Sequence, residues 1–166
     1  MRLNNKRILF AAQYAAPYEG NFIAALRLLE SSLKTSYDAE CAYVFPENAE
    51  HQSWMNAFSS SHKVYFTDND VPKTETGLKH IIEDFDPDII HTHFDGYDVP
   101  VYNAVRSTGK QIKQIWHLHD YLTYQSNPLK KLYQIICFYR HYKSYRKYKY
   151  YRSSAYIGSI YGDKYE

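Results

Sequence analysis

Four histidines fall in two His-x-His pairs, His91/His93 within DPDIIHTHF and His117/His119 within QIKQIWHLHDY, and Asp120 directly follows the second pair. Imidazole titrates near neutral pH, donates and accepts hydrogen bonds, and ligates metals through its unprotonated nitrogen. Each pair closes a short apolar run. Alternate residues of a strand share a face, so His91 and His93 belong with Ile89, and His117 and His119 with Ile115. The last residues of strands in an open parallel sheet stand at the carboxyl-end crevice where ligands bind. On that geometry His93 and His119, with Asp120, are the candidates for exposed chemistry, and His91 and His117 belong to the core. The alternative is a metal site: with Asp95, Asp98 and Asp120 nearby, the two pairs could hold a divalent cation that activates water, as in metal-dependent hydrolases.

The surrounding pattern supplies the frame. RILFAA (7–12), AECAYVF (39–45), KVYFT (63–67), DIIHTH (88–93), IKQIWHLH (112–119) and AYIGSI (155–160) read as strands. Between the first two, a loop ending in Gly20 leads to a helix N-capped at Asn21, with an apolar stripe of Phe22, Leu26, Leu29 and Leu33. The unpaired amides and positive dipole of that helix start would let a phosphate approach at Gly20, which would otherwise be a turn glycine with positive φ. A short helix around Trp54, Met55 and Phe58 reads as core filling. A further helix presents Leu78, Ile81, Ile82 and Phe85, and the next is entered through Asp98 and Pro100. Asn127 and Pro128 open a long helix to about Arg152. Strands and helices alternate throughout, which predicts one domain over 1–166: a doubly wound, Rossmann-like α/β fold with a mostly parallel six-stranded sheet flanked by helices.

Composition narrows the classes. A hydrophobic content of 45% in 166 residues suits an ordinary globular core. Neither a spanning apolar run nor a signal peptide is present, which points to the cytoplasm. Cys41 and Cys137 are the only cysteines, so neither a disulfide framework nor a cysteine zinc motif is indicated. The net charge of +2 hides a division, because 121–162 holds eight Lys/Arg and no Asp or Glu, leaving 12 basic against 18 acidic residues elsewhere.

The strand and loop ending PYEGN, the DPDIIHTHF and IWHLHD strands, the long basic helix and the closing AYIGSI strand together resemble the N-terminal domain of family 4 glycosyltransferases, which have the GT-B fold. Pro87, Asp88 and His93, then His119 and Asp120, then Ser159 match that family's short motifs. Where the family commonly has two adjacent glycines in the first loop, this chain has Glu19 and Gly20. The resemblance implies an enzyme that moves a sugar from a nucleotide-sugar co-substrate to a hydroxyl acceptor, without cofactor or essential metal, in cell-surface polysaccharide or glycolipid synthesis. It places the donor diphosphate at Gly20 and Asn21, makes His119 and Asp120 the catalytic pair that orients the donor sugar, and puts His93 and Tyr97 on the acceptor side. The family's second, nucleotide-sugar domain has no counterpart in these residues, so this half alone is expected to be inactive.

The basic segment invites two further readings. Tyr142, Tyr145, Tyr148 and Tyr151 interleave with Arg140, Lys143, Arg146, Lys147 and Lys149. Tyrosine favours the lipid headgroup region, and each basic residue near an anionic leaflet contributes about 1 kcal/mol. That combination predicts peripheral docking on the inner face of the plasma membrane, as suits a lipid-linked acceptor. The other reading is a non-catalytic nucleic-acid module, in which tyrosines stack bases and cations pair phosphates. No nucleic-acid-binding motif accompanies it, so nucleic acid is not expected as a partner.

Overall fold

A computed structural model describes residues 5–60, 62–68 and 70–117. The chain divides into units Met1–Asp120 and Tyr121–Glu166, and every element below belongs to the first. In order they are β1 (Arg7–Ala12), α1 (Gly20–Tyr37), β2 (Glu40–Pro46), α2 (Met55–Ser59), β3 (Lys63–Thr67), α3 (Val71–Phe85), β4 (Ile89–His93), α4 (Asp98–Thr108) and β5 (Lys113–His117). The strands form one five-stranded sheet in the order β3-β2-β1-β4-β5, and every pairing is parallel. This is the expected Rossmann-like α/β sheet. The sixth strand, at 155–160, lies outside the described residues.

A parallel sheet is covered on both faces, which is why its strands read as continuous apolar runs. Alternate residues of β1 serve two separate cores. Ile8, Phe10 and Ala12 join Tyr43, Phe45, Ile89, the helical residues Ile23, Leu26, Met55 and Phe58, and Trp54 just before α2. Leu9 and Ala11 join Val44 and Ile90 against Leu78, Ile82 and Phe85 of α3 and Val101 and Val105 of α4. α1 and α2 therefore serve one face, α3 and α4 the other. Trp54, Met55 and Phe58 fill the core as their sequence context indicates. On the first face Phe58 meets the Tyr43 ring edge-on at 4.8 Å, and Tyr43 stacks on Phe10 at 5.5 Å.

The α1 stripe departs from the expected one. The buried positions are Ile23, Leu26 and Glu30, whereas Leu29 is exposed. A glutamate takes a core-facing position because its carboxylate lies 2.6 Å from Lys34 Nζ and 2.8 Å from His62 Nε2. Buried charge is tolerated only when paired in this way. α1 begins at Gly20, with Glu19 at the cap position, so Asn21 stands inside the first turn and is not the cap. The helix ends where Asp38 adopts a left-handed conformation and returns its amide to the Lys34 carbonyl.

The Pro-Asp step before β4 has a structural role. The Asp88 amide donates to the Arg7 carbonyl at 2.9 Å, and its carbonyl accepts the Lys113 amide at 3.1 Å. Its carboxylate accepts the Arg7 amide at 3.0 Å and Lys6 Nζ at 2.5 Å. Asp88 thus joins the starts of β1, β4 and β5, at the end of the sheet opposite the carboxyl-end crevice. The Arg7 amide and then Lys6 hold the carboxyl below the usual aspartate range.

Candidate functional site

β1 is flanked by β2 on one side and β4 on the other, so the strand order reverses direction at the β1–β4 boundary. A crevice opens beyond the carboxyl ends of strands at such a switch point, and ligands of open α/β sheets bind there. Here the β1–β4 ladder runs on by one bond, from the Gln13 amide to the His93 carbonyl at 3.3 Å, before the chain turns away. The turn is tied down from two sides. The Tyr14 hydroxyl donates to the Tyr18 carbonyl at 2.9 Å, and Trp54 Nε1 donates to the Ala16 carbonyl at 2.9 Å.

Gly20 ends this loop with φ of +57°, a conformation costly for residues with a Cβ. A Cβ there would also stand 3.1 Å from the Tyr14 hydroxyl. The glycine is therefore required by the packing of the loop, whatever else approaches it. Gly20 and Asn21 are both exposed in the first turn of α1, and no side chain caps that turn. Glu19 directs its carboxylate along the helix to Arg27 Nη1 at 3.1 Å. The acidic residue in place of the family's glycine is thus turned toward a cation on its own helix.

Three histidines converge on the α1–α2 face. His91 and His93 lie two apart on β4, and His117 of β5 is the register partner of His93. Ring centroids are 4.2 Å apart for His91–His93, 5.0 Å for His93–His117 and 5.5 Å for His91–His117. One nitrogen from each ring can be chosen so that all lie within 4.8 Å of one another. Burial holds the His117 imidazole below the ordinary histidine range, favouring its neutral form.

The depths within β4 are the reverse of those expected. His93, at the strand end, is 3% exposed, while His91 and His117 are half-buried. Aromatic cover is the reason. Phe22 of α1 packs edge-on against His93 at 5.2 Å, Phe94 meets Phe22 at 4.9 Å, and Tyr14 stacks on Phe94 at 5.9 Å. Phe94 itself adopts φ of +68°, turning the chain as it leaves β4. Tyr14, Phe22 and Phe94 form a half-buried aromatic wall that the strand pattern alone did not indicate, although Tyr14 and Phe94 each follow a strand end closely enough to have signalled it.

Tyr97 and Asp98 lie elsewhere. Tyr97 is buried in the core of the α3–α4 face, and its hydroxyl is 2.6 Å from Thr67 Oγ1. Burial raises its phenol well above the usual tyrosine range. It therefore does not share a surface with His93, as the sequence reading supposed. Asp98 is buried and accepts a hydrogen bond from Thr92 Oγ1, on the strand residue between the two histidines. Its carboxylate serves that contact on the opposite side of the sheet from the imidazoles. His119 and Asp120, and the basic residues Arg140, Lys143, Arg146, Lys147 and Lys149, lie outside the described residues. Among the described residues no helix is long and apolar enough to cross a membrane.

No family model matches the chain, and no curated protein sequence matches it significantly. Solved structures do. MurG of Acinetobacter baumannii, a GT-B glycosyltransferase, superposes with a TM-score of 0.51 at 12% identity, over 68% of this chain and 35% of MurG. The five-stranded, Rossmann-like parallel sheet is consistent with one GT-B half. The C-terminal domain of the PF1911 hydrogenase from Pyrococcus furiosus matches at a TM-score of 0.44 and 14% identity, over 71% of this chain and 93% of that domain. The chain spans about a third of the length of MurG, and at this identity the likeness is one of fold.

Proposed function

We propose that this chain is the acceptor-binding N-terminal half of a glycosyltransferase that moves a sugar from a nucleotide-sugar donor to a hydroxyl acceptor. The observation that supports it is the GT-B-like sheet, whose switch-point crevice is bounded by the Tyr14–Phe22–Phe94 wall and the imidazoles of β4 and β5. Aromatic surface with a few polar groups suits a sugar, which offers apolar ring faces and a rim of hydroxyls. In this reading His93 acts from beneath Phe22, and half-buried His91 and His117 meet the acceptor more directly. The donor diphosphate approaches the first turn of α1 at Gly20 and Asn21, where amides and dipole favour an anion. A second α/β domain holds the rest of the nucleotide-sugar, and His119 and Asp120 orient its sugar. The finer assignment is to family 4, in cell-surface polysaccharide or glycolipid synthesis at the cytoplasmic side of the membrane. The basic segment 128–152 then docks on anionic lipid, as suits a lipid-linked acceptor.

Ligand-dependent thermal unfolding tests the assignment, since a ligand bound only to the native state raises the midpoint, by about 2.7 kcal/mol of stability at a concentration 100 times Kd. Oligosaccharide and polyprenyl-linked sugar acceptors are expected to raise the midpoint of this chain, and UDP- and GDP-sugars to leave it unchanged. A rise with one nucleotide-sugar and none with acceptors would move the donor site into this half. No rise with any sugar would refute the glycosyltransferase reading.

A further inference from the structure

The three-histidine cluster points beyond sugar binding, and its argument is independent of the glycosyltransferase reading. We infer that His91, His93 and His117 form a divalent metal site, taking zinc through three imidazole nitrogens and leaving a fourth position for water or a hydroxyl oxygen. In the sequence a metal site on the two His-x-His pairs stands only as an alternative, with Asp95, Asp98 and Asp120 nearby, because the glycosyltransferase resemblance implies no metal; the structure brings together a narrower set of three imidazoles.

The backbone supplies the convergence. Residues two apart on one strand and a register partner on the next project from the same face of a sheet. His91, His93 and His117 occupy those positions, and selected ring nitrogens lie within 4.8 Å of one another. Zn–N bonds of 2.0–2.1 Å in a tetrahedral site place nitrogen pairs about 3.4 Å apart. Metal binding therefore requires the half-buried His91 and His117 rings to rotate inward, while His93, packed under Phe22, is the fixed ligand.

The surroundings select the kind of ion. Phe10 lies 5.7 Å from His91 and 6.2 Å from His93, so the cluster has an aromatic floor. The two placed carboxylates nearest in sequence are engaged elsewhere: Asp88 accepts hydrogen bonds from the Arg7 amide and Lys6 at the opposite end of the strands, and Asp98 accepts one from Thr92 across the sheet. Among the described residues the ligand set is all imidazole, which suits zinc and neighbouring transition metals and disfavours magnesium, calcium and manganese. Three protein ligands with one open position is the arrangement of zinc sites that activate or orient an oxygen ligand. The crevice at the carboxyl ends of β1, β4 and β5 is where that oxygen would enter.

The test uses the full chain, stripped with chelator, re-equilibrated with zinc chloride and desalted. Elemental analysis is expected to find about one zinc per chain, as a three-imidazole site holds. His91→Gln and His117→Gln should each weaken zinc binding at least about tenfold, since even outer-shell changes at metal sites cost that much. His51→Gln and His80→Gln, at exposed histidines, should leave it unchanged. Cobalt(II) in place of zinc should give the intense visible bands of a tetrahedral ion in the native chain and lose them in the first two variants. No bound zinc in the native chain, or zinc retained at native affinity by both site variants, would overturn the assignment. Should either variant fail to fold by circular dichroism, X-ray absorption of the zinc-loaded native chain decides: three imidazoles support the site and two or fewer overturn it.

Discussion

Replacing Asp88 with alanine removes a carboxylate that accepts the Arg7 amide at 3.0 Å and Lys6 Nζ at 2.5 Å, and leaves the two backbone bonds of residue 88 in place. A hydrogen bond to a charged group contributes about 1.5–3 kcal/mol net, and the Lys6 pair, with both side chains about a third exposed, adds at most about 1 kcal/mol. Water can reach the vacated Arg7 amide, so the expected loss for Asp88→Ala is about 2 kcal/mol at pH 7, and about half that for Asp88→Asn, which keeps one acceptor oxygen. The loss should depend on pH in a fixed direction. The folded-state pKa of Asp88 is depressed, so its contribution is complete above the unfolded value of about 3.9 and disappears as pH falls through the folded value. Urea unfolding of the full chain, followed by the fluorescence of the buried Trp54 and Trp116, measures the gap between native and variant at pH 7, 5 and 3. The gap should be equal at pH 7 and 5 and smaller at pH 3. A gap under about 0.5 kcal/mol at pH 7, the range of an ordinary surface substitution, or one as wide at pH 3 as at pH 7, would refute the role given to this carboxylate.

Three other expectations follow from the same geometry. Gly20→Ala should cost about 1–2 kcal/mol in urea unfolding for its left-handed backbone, and adding Tyr14→Phe should relieve only the part due to the 3.1 Å contact; no loss in the single variant would mean that the loop adopts another conformation. Tyr97→Phe should lower stability by about 1–2 kcal/mol, because a buried Thr67 hydroxyl loses its partner, yet leave the midpoint shift with acceptor sugars intact; a lost shift at unchanged stability would return Tyr97 to the binding surface. The chain should cosediment with anionic vesicles and not with neutral ones, and release as salt is raised to about 0.5 M, where the screening length falls to a few ångströms; equal binding to neutral vesicles would refute electrostatic docking by the 128–152 segment.

What the sequence reveals about this molecule is set by the range over which each property is decided. The strands at 7–12 and 39–45 announce themselves because both faces of an interior parallel strand are buried, so apolar character is continuous and local. The face shared by His91 and His93 is likewise a local property, since it follows from the two-residue repeat of a strand. Their depth is not. His93 is buried because Phe22, on a helix formed much earlier in the chain, lies over it, and nothing in DIIHTH reports that helix. The same holds for Glu30, whose place in the α1 core depends on His62 approaching from the end of α2. Tyr97 was misplaced because the short turn Asp95–Tyr97 interrupts the alternation after His93, and parity can no longer be counted through it. The two errors at the site have one physical cause: alternation gives direction, whereas exposure is settled by the element that crosses over the residue. That is also why the two His-x-His pairs suggest a shared site in the sequence, whereas which of their rings converge is decided only in three dimensions. Taken alone, His91 and His117 read as core and His93 as a strand-end residue, and it is the register pairing of His93 with His117, a fact about two strands, that turns the three into one potential ligand set.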